Sequence, residues 1–348
     1  MKKQPKAVAL ISGGLDSMLA VRVIQDQGIH VEGVNLFTGF CVEGHTQSIR
    51  RRNSEKPKRN NPLWVAERLG IKLHFLDVVE EYKDVVLNPR YGYGANLNPC
   101  LDCKVFMVRK ALDWMYQKDF DFIVTGEVVG QRPKSQLRNA LAIVQRQSDA
   151  HDLLLRPLCA KLLSPTLPER RGWIDRDQLL DFSGRSRRPQ IELAARYGIE
   201  EYAQPAGGCC FLTDPQYSKK LLDLWRSREG GRTYDLDDIV LLKVGRHFRP
   251  QPHFKVIISR EEGEGHFLQG YRHRFIGLRP VSHVGPESLI EGRPSPADII
   301  TASRIVARYS QGRGAEQVRI EVNDPSGWRR HLCVKPFSPP EIPREWML

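Results

Sequence analysis

The chain has no apolar run of membrane-spanning length, which argues against an integral membrane protein. It begins MKKQPKAVALISGG, basic and then apolar, but the apolar part is only AVALI before two glycines. That is too short for an export signal, and a cytoplasmic protein is expected. Cysteine is scarce, at seven of 348 residues. In a cytosolic chain such cysteines point to catalysis or metal binding rather than structural disulfides. There is one C-x-x-C, Cys100 and Cys103, and no second of the kind that would suggest a four-cysteine zinc site. The N-terminal glycine turn has no following Lys and Ser/Thr of the Walker kind, and no G-x-G-x-x-G fingerprint is present. No aromatic pair at RRM spacing and no internal repeat is found.

What is present is an ordinary globular composition, 41% apolar and 27% charged, over a length that suggests two or three domains. Net charge is +12 and the pI about 9.4, which favours a polyanionic partner such as nucleic acid. The bland alternative is a solvated basic surface. The basic residues are clustered, however, in RRRNSEKPKR at 50–59, PERR at 168–171 and GRSRRP at 184–189.

AVALI at 7–11 reads as a buried parallel strand, followed by Gly13 and Gly14 and a helical stretch ending at Gly28. A strand–glycine–helix turn aims backbone N–H groups at one spot and favours phosphate. HVEGVNLF, IKLHFLDV and FDFIVTGE read as further strands, with a helix at 104–117 between the last two. Alternation of this kind predicts an α/β fold, a parallel doubly wound sheet whose ligands bind beyond the strands' C-terminal ends. The expected division is 1–165 for this domain, 166–228 for a helical, basic connecting region that completes the active site, and 233–348 for a smaller α+β domain.

The loop S-G-G-L-D-S at 12–17 resembles that of the PP-loop ATP pyrophosphatases, the adenine nucleotide alpha hydrolase-like fold. The resemblance implies ATP and Mg²⁺ as cofactors and cleavage of ATP to AMP and pyrophosphate. It implies phosphate contacts from Ser12, Gly13, Gly14, Leu15 and Ser17, with Gly126 nearby, and a catalytic, Mg²⁺-holding Asp16.

NPCLDCK places Cys100 and Cys103 near a helix N-terminus, where the dipole favours thiolate. Alone, such a pair is redox-active, half of a zinc site or half of an iron–sulfur site. Far downstream, PAGGCCFL carries Cys209 and Cys210 side by side, poor partners for each other because a vicinal bridge is strained. Cys41 follows the second strand at the ligand-binding end of the sheet. Cys159 is expected in the core and Cys333 as structural. N-P-x-x-x-C before a helix, with a later C-F-L, resembles the tRNA 2-thiouridylases, whose paired catalytic cysteines fall on Cys103 and Cys210. Cys100 stands where those enzymes carry aspartate. The C-x-x-C form is similar to thiolases that hold a [4Fe–4S] cluster on three cysteines, here Cys100, Cys103 and Cys210. TGEVVGQRPKSQ at 125–136 is similar to a segment of the tRNA 4-thiouridine synthetases.

These resemblances cover roughly residues 7–215 and imply adenylation of a uracil carbonyl oxygen followed by attack of sulfur. The sulfur route is either the cluster or a persulfide, with sulfide or a desulfurase-derived persulfide as donor. Beyond 233, VGRHFR and KVIISR resemble the RNA-binding region of NFACT-type proteins. The expected function is an ATP-dependent sulfurtransferase thiolating a tRNA uridine, with Arg185, Arg187 and Arg188 on RNA phosphates. The rivals are a PP-loop enzyme thiolating or amidating a small metabolite, and an RNA-binding adaptor whose ATP loop is not catalytic.

Overall fold

The computed structural model describes residues 4–42, 61–202 and 210–348. The basic run at 50–59, and Cys209 with the PAGG before it, lie outside the described residues. The chain divides into two compact units: of the described residues, 4–41 and 61–210 fall in the first, and Val42 with 211–348 in the second.

The first unit is built on five strands: β1 (Lys6–Leu10), β2 (His30–Phe37), β3 (Leu73–Asp77), β4 (Phe122–Val124) and β5 (Leu154–Leu155). Their order is β3-β2-β1-β4-β5 and every pair is parallel. Around them lie α1 (Leu15–Gln25), α2 (Asn61–Leu69), α3 (Val79–Leu87), α4 (Cys100–Gln117), α5 (Arg138–Gln147), α6 (Leu167–Arg170) and α7 (Arg188–Arg196). Alternation along β1 explains the two helical layers. Ala7 and Ala9 pack with Leu15, Leu19 and Val65 of α1 and α2, whereas Val8 packs with Val108, Leu112 and Val144 of α4 and α5. Both faces are covered, so β1 is apolar from Ala7 to Leu10. The expected doubly wound α/β sheet is present. Its order reverses beside β1, and the crevice at such a switch lies off the C-terminal ends of β1 and β4.

The second unit holds α8 (Pro215–Ser227) and α9 (Leu236–Leu241), then β6 (Arg246–Gln251), β7 (Phe254–Ile258), α10 (Glu262–Gln269), β8 (Ile276–Pro280), β9 (Ser288–Gly292), α11 (Pro296–Arg308), β10 (Val318–Asn323) and β11 (Arg329–Val334). The strands form one sheet in the order β11-β10-β8-β9-β7-β6, with antiparallel neighbours. FKVII of β7 is buried along its whole length because both faces are covered. Val256 and Ile258 pack with Ile305 and Val306 of α11, while Ile257 packs with Leu241 and Leu268 of α9 and α10. α8 joins this unit by the Tyr217 hydroxyl, which donates to the Ile239 carbonyl at 2.9 Å, and by Lys220 Nζ, which donates to the Leu242 and Gly245 carbonyls at 3.2 Å.

Candidate active site

β1 delivers the chain straight into Ser12–Ser17. Gly13 has φ +80°, a conformation that favours glycine, and a Cβ there would stand 2.7 Å from Asn61 Cβ. Ser17 Oγ donates to the Gly14 carbonyl at 2.8 Å and lies 3.4 Å from Ser12 Oγ, so the two hydroxyls are held together at the start of α1. The Gly14 N–H donates to Ser12 Oγ at 3.4 Å. Leu15 is a core residue that anchors the helix beneath this turn. The loop thus presents hydroxyls and the N-terminus of α1, an electropositive end that suits phosphate.

The next strand over, β4, runs out into Thr125, Gly126 and Glu127. A Cβ on Gly126 would lie 2.4 Å from the carbonyl carbon and oxygen of Asp16 and 2.6 Å from Ser17 N. Only glycine lets the end of β4 close onto the first turn of α1. The segment after it folds back, the Gly130 N–H donating to the Gln136 carbonyl at 2.7 Å. Gln131 Nε2 then donates to Asp16 Oδ2 at 2.7 Å, and Gln190 Nε2 to Gln131 Oε1 at 3.1 Å. Val129 bridges to Ser183, and the Gly184 N–H donates to the Val129 carbonyl at 2.8 Å. The basic loop at 184–189 is thereby fastened beside the nucleotide loop.

Its three arginines are not equivalent. Arg185 is exposed. Arg188 is 84% exposed and pairs with Glu192 at 2.8 Å. Arg187 turns inward, its Nη2 3.9 Å from Asp16 Oδ1. The expected RNA clamp thus has two solvent-facing members, and a third that stands at the carboxylate of the nucleotide loop.

Glu127 is buried and takes Arg156 Nε at 3.0 Å and the Thr125 hydroxyl at 3.2 Å, with Lys104 Nζ 3.7 Å away. Burial alone would raise its carboxyl, but Lys104 and Arg156 more than offset that and hold it below the ordinary glutamate range. Lys104 follows Cys103, so this ion pair ties the cysteine helix to the end of β4.

α4 begins at Cys100, which puts Cys100 and Cys103 three residues apart in its first turn and on one face. Asp102 between them accepts the Arg90 and Tyr91 N–H groups at 3.0 and 3.1 Å and shapes the loop before the helix. Cys210 pairs across an isolated antiparallel bridge with Cys41, which lies just beyond β2. Its thiol stands 3.8 Å from Asn98 Oδ1, two residues before Cys100. Cys41, Cys100, Cys103 and Cys210 therefore sit off the C-terminal end of the sheet. Among the described residues, however, no group of three or more His, Cys, Asp or Glu side chains is placed to hold a metal ion. The expected ligand set of Cys100, Cys103 and Cys210 is not assembled there. The main chain of Cys210 pairs with Cys41, and its thiol is turned to the Asn98 side-chain oxygen rather than into a three-cysteine cluster. Cys159 is buried, as expected for a core residue, its thiol pushed up to about 11 by that burial.

Residues 5–163 match the tRNA methyl transferase HUP domain family, and residues 245–347 match the NFACT protein RNA binding domain family. The chain carries a PP-loop HUP domain followed by an NFACT-type domain. Among curated relatives, the tRNA-specific 2-thiouridylase MnmA of Campylobacter curvus is 30% identical over 128 residues, 36% of this chain and 35% of that protein. The enzyme of the same description from Haemophilus ducreyi is 26% identical over 255 residues, 70% of this chain and 60% of that protein. The chain therefore spans about a third to three-fifths of the length of these relatives. A solved structure described as a predicted subunit of a tRNA methyltransferase from Methanocaldococcus jannaschii aligns at 14% identity and a TM-score of 0.29, covering 44% of this chain and 67% of that one. The HUP match implies an ATP-binding domain, and the NFACT match confirms the resemblance read from VGRHFR and KVIISR. Among the described residues, no helix is long and apolar enough to cross a membrane.

The residues that sequence reasoning missed are partners rather than motif members. Gln131 lies inside the quoted TGEVVGQRPKSQ, so its segment carried a signal. Gln190, Asn98 and the inward role of Arg187 carried none, because each depends on a contact distant in sequence.

Proposed function

We propose that this chain is an ATP-dependent sulfurtransferase that activates and thiolates a uridine of tRNA. The observation that carries the reading is the closure of Gly126 onto Asp16, which sets the S-G-G-L-D-S loop at the same end of the sheet as four cysteines. ATP supplies an AMP group that turns a uracil carbonyl oxygen into a leaving group. The chain's part is to hold the phosphates on Ser12, Ser17 and the N-terminus of α1, and to offer a hard carboxylate oxygen of Asp16 to the accompanying Mg²⁺. That oxygen, Oδ1, is buried without a hydrogen-bond partner, which fits a cation ligand.

The carbonyl oxygen attacks the α-phosphorus and pyrophosphate leaves. The terminal sulfur of a persulfide on Cys210 attacks the activated carbon, and AMP departs with the oxygen. A second thiolate, Cys103 or Cys41, attacks the Cys210 sulfur. This frees the thiocarbonyl and leaves a disulfide for external thiols to reduce. Arg185 and Arg188 face solvent and hold tRNA phosphates, with further RNA contact from the NFACT-type domain. There Trp328 is 47% exposed beside Arg330, whose guanidinium stacks 4.8 Å from its ring.

Product analysis with α-labelled ATP and tRNA tests the reading. AMP and pyrophosphate are expected, and ADP with phosphate would overturn it. The protein purified anaerobically is expected to thiolate with a persulfide donor and without iron. About four irons per chain, lost together with activity, would move the sulfur step to a cluster.

A further inference from the structure

We propose that Arg187 is a ligand of the nucleotide's phosphates, set apart in function from its neighbours Arg185 and Arg188. The inference rests on the reading that ATP occupies the loop at 12–17, and it adds a residue that no motif contains.

Three observations carry it. First, Arg187 Nη2 and Asp16 Oδ1 are 3.9 Å apart, close enough for an ion pair but beyond hydrogen-bond range, with both side chains only 23% exposed. Second, Arg187 Nε and Asp16 Oδ1 are each buried without a hydrogen-bond partner. A charged donor and a charged acceptor thus stand side by side unmatched, which is costly in the interior. Third, the surroundings hold them there. Gln131 fixes Asp16 through Oδ2, and Gln190, itself 1% exposed, fixes Gln131. The Gly184 N–H bond to Val129 and the bridge at Ser183 fasten the arginine's loop.

A cation alone would match the carboxylate oxygen and oppose the guanidinium. An anion alone would do the reverse. A phosphate carrying a divalent cation matches both, the metal on Asp16 Oδ1 and a phosphate oxygen on Arg187. Arg188 offers nothing comparable, since its guanidinium is in solvent with Glu192.

A purely structural role predicts the opposite sign, which makes the question decidable. If Arg187 were only the counter-charge of Asp16, its removal would free the carboxylate and tighten cation-dependent binding. If it binds phosphate, its removal weakens binding. Calorimetric titration of the full chain with Mg²⁺ and α,β-methylene ATP separates the two. Arg187→Gln is expected to weaken that affinity about 10- to 100-fold, as for a lost hydrogen bond to a charged group. Arg187→Lys should recover only part of it, having charge without the planar fork. Arg188→Gln, which removes the same charge from the same loop, should stay within about twofold. Unchanged or tighter binding by Arg187→Gln overturns the proposal, as does an equal loss in Arg188→Gln. Loss of tRNA affinity in Arg187→Gln with nucleotide affinity intact would return the residue to the RNA surface and also overturn it. If the wild-type chain fails to bind the analogue, the nucleotide reading itself fails and this proposal falls with it.

Discussion

At the scale of single residues, the nucleotide loop is set by where a Cβ can and cannot go. Gly126 has no room for one, because it would overlap the Asp16 carbonyl at 2.4 Å. Gly14 has room, its nearest neighbour being Ser12 Oγ at 3.5 Å. Gly126→Ala is therefore expected to destabilise the chain by roughly 1–3 kcal/mol, as overpacking does, and to weaken Mg²⁺–nucleotide affinity. Gly14→Ala should change stability by less than about 1 kcal/mol. Chemical denaturation of both variants checks this, and equal stabilities would contradict the packing account. The loop was legible in the sequence because each of its residues answers a local demand: a turn, a helix start, a hydroxyl. The approach of Arg187 to Asp16 was not legible, for the converse reason. GRSRRP reads as one basic cluster, and nothing local says that its middle arginine faces Asp16.

At the scale of elements, the helices with sharp start signals read well. Asp214 before Pro215 caps α8, its carboxylate accepting the Tyr217 N–H at 2.7 Å. In DRDQLLDF only Arg176–Gln178 forms a short helical turn, and Asp175 caps its start by accepting the Asp177 N–H. DIVL belongs to α9, which starts under an Asp235–Asp238 capping box. The bridge between Cys41 and Cys210 joins segments that no pattern links. It brings their main chains to disulfide range, so mild oxidation of the native protein should yield a Cys41–Cys210 disulfide in peptide mass mapping. A Cys103–Cys210 product without it would contradict this pairing. α8 carries a second measurable consequence. Burial drives the Lys220 ammonium down to about 8. Between about pH 8 and the ordinary lysine value of 10.5 the unfolded chain holds the proton that the folded chain has released. Raising the pH through that window therefore favours the folded state. Wild type should gain stability on Lys220→Met across it, measured by denaturant unfolding, and parallel pH profiles would contradict the assignment.

At the scale of the whole molecule, the chain joins an ATP-binding HUP domain to an NFACT-type domain, and strand–helix alternation was enough to read the first of these. The second was harder, because helices cover both faces of its antiparallel sheet, so that β7 is buried along its whole length and shows no in–out alternation. The proposed function rests on groups held at one end of the parallel sheet: the loop at 12–17, the Asp16 carboxylate beside it, and the cysteines Cys41, Cys100, Cys103 and Cys210. Nucleoside mass spectrometry tests that account most directly. Digested tRNA from cells lacking the chain should be compared with tRNA from the same cells supplied with wild type, Asp16→Ala or Cys210→Ala. One uridine carrying sulfur in place of oxygen should be missing without the chain, restored by wild type, and restored by neither variant. An unchanged set of thiolated nucleosides in the cells lacking the chain would contradict the account.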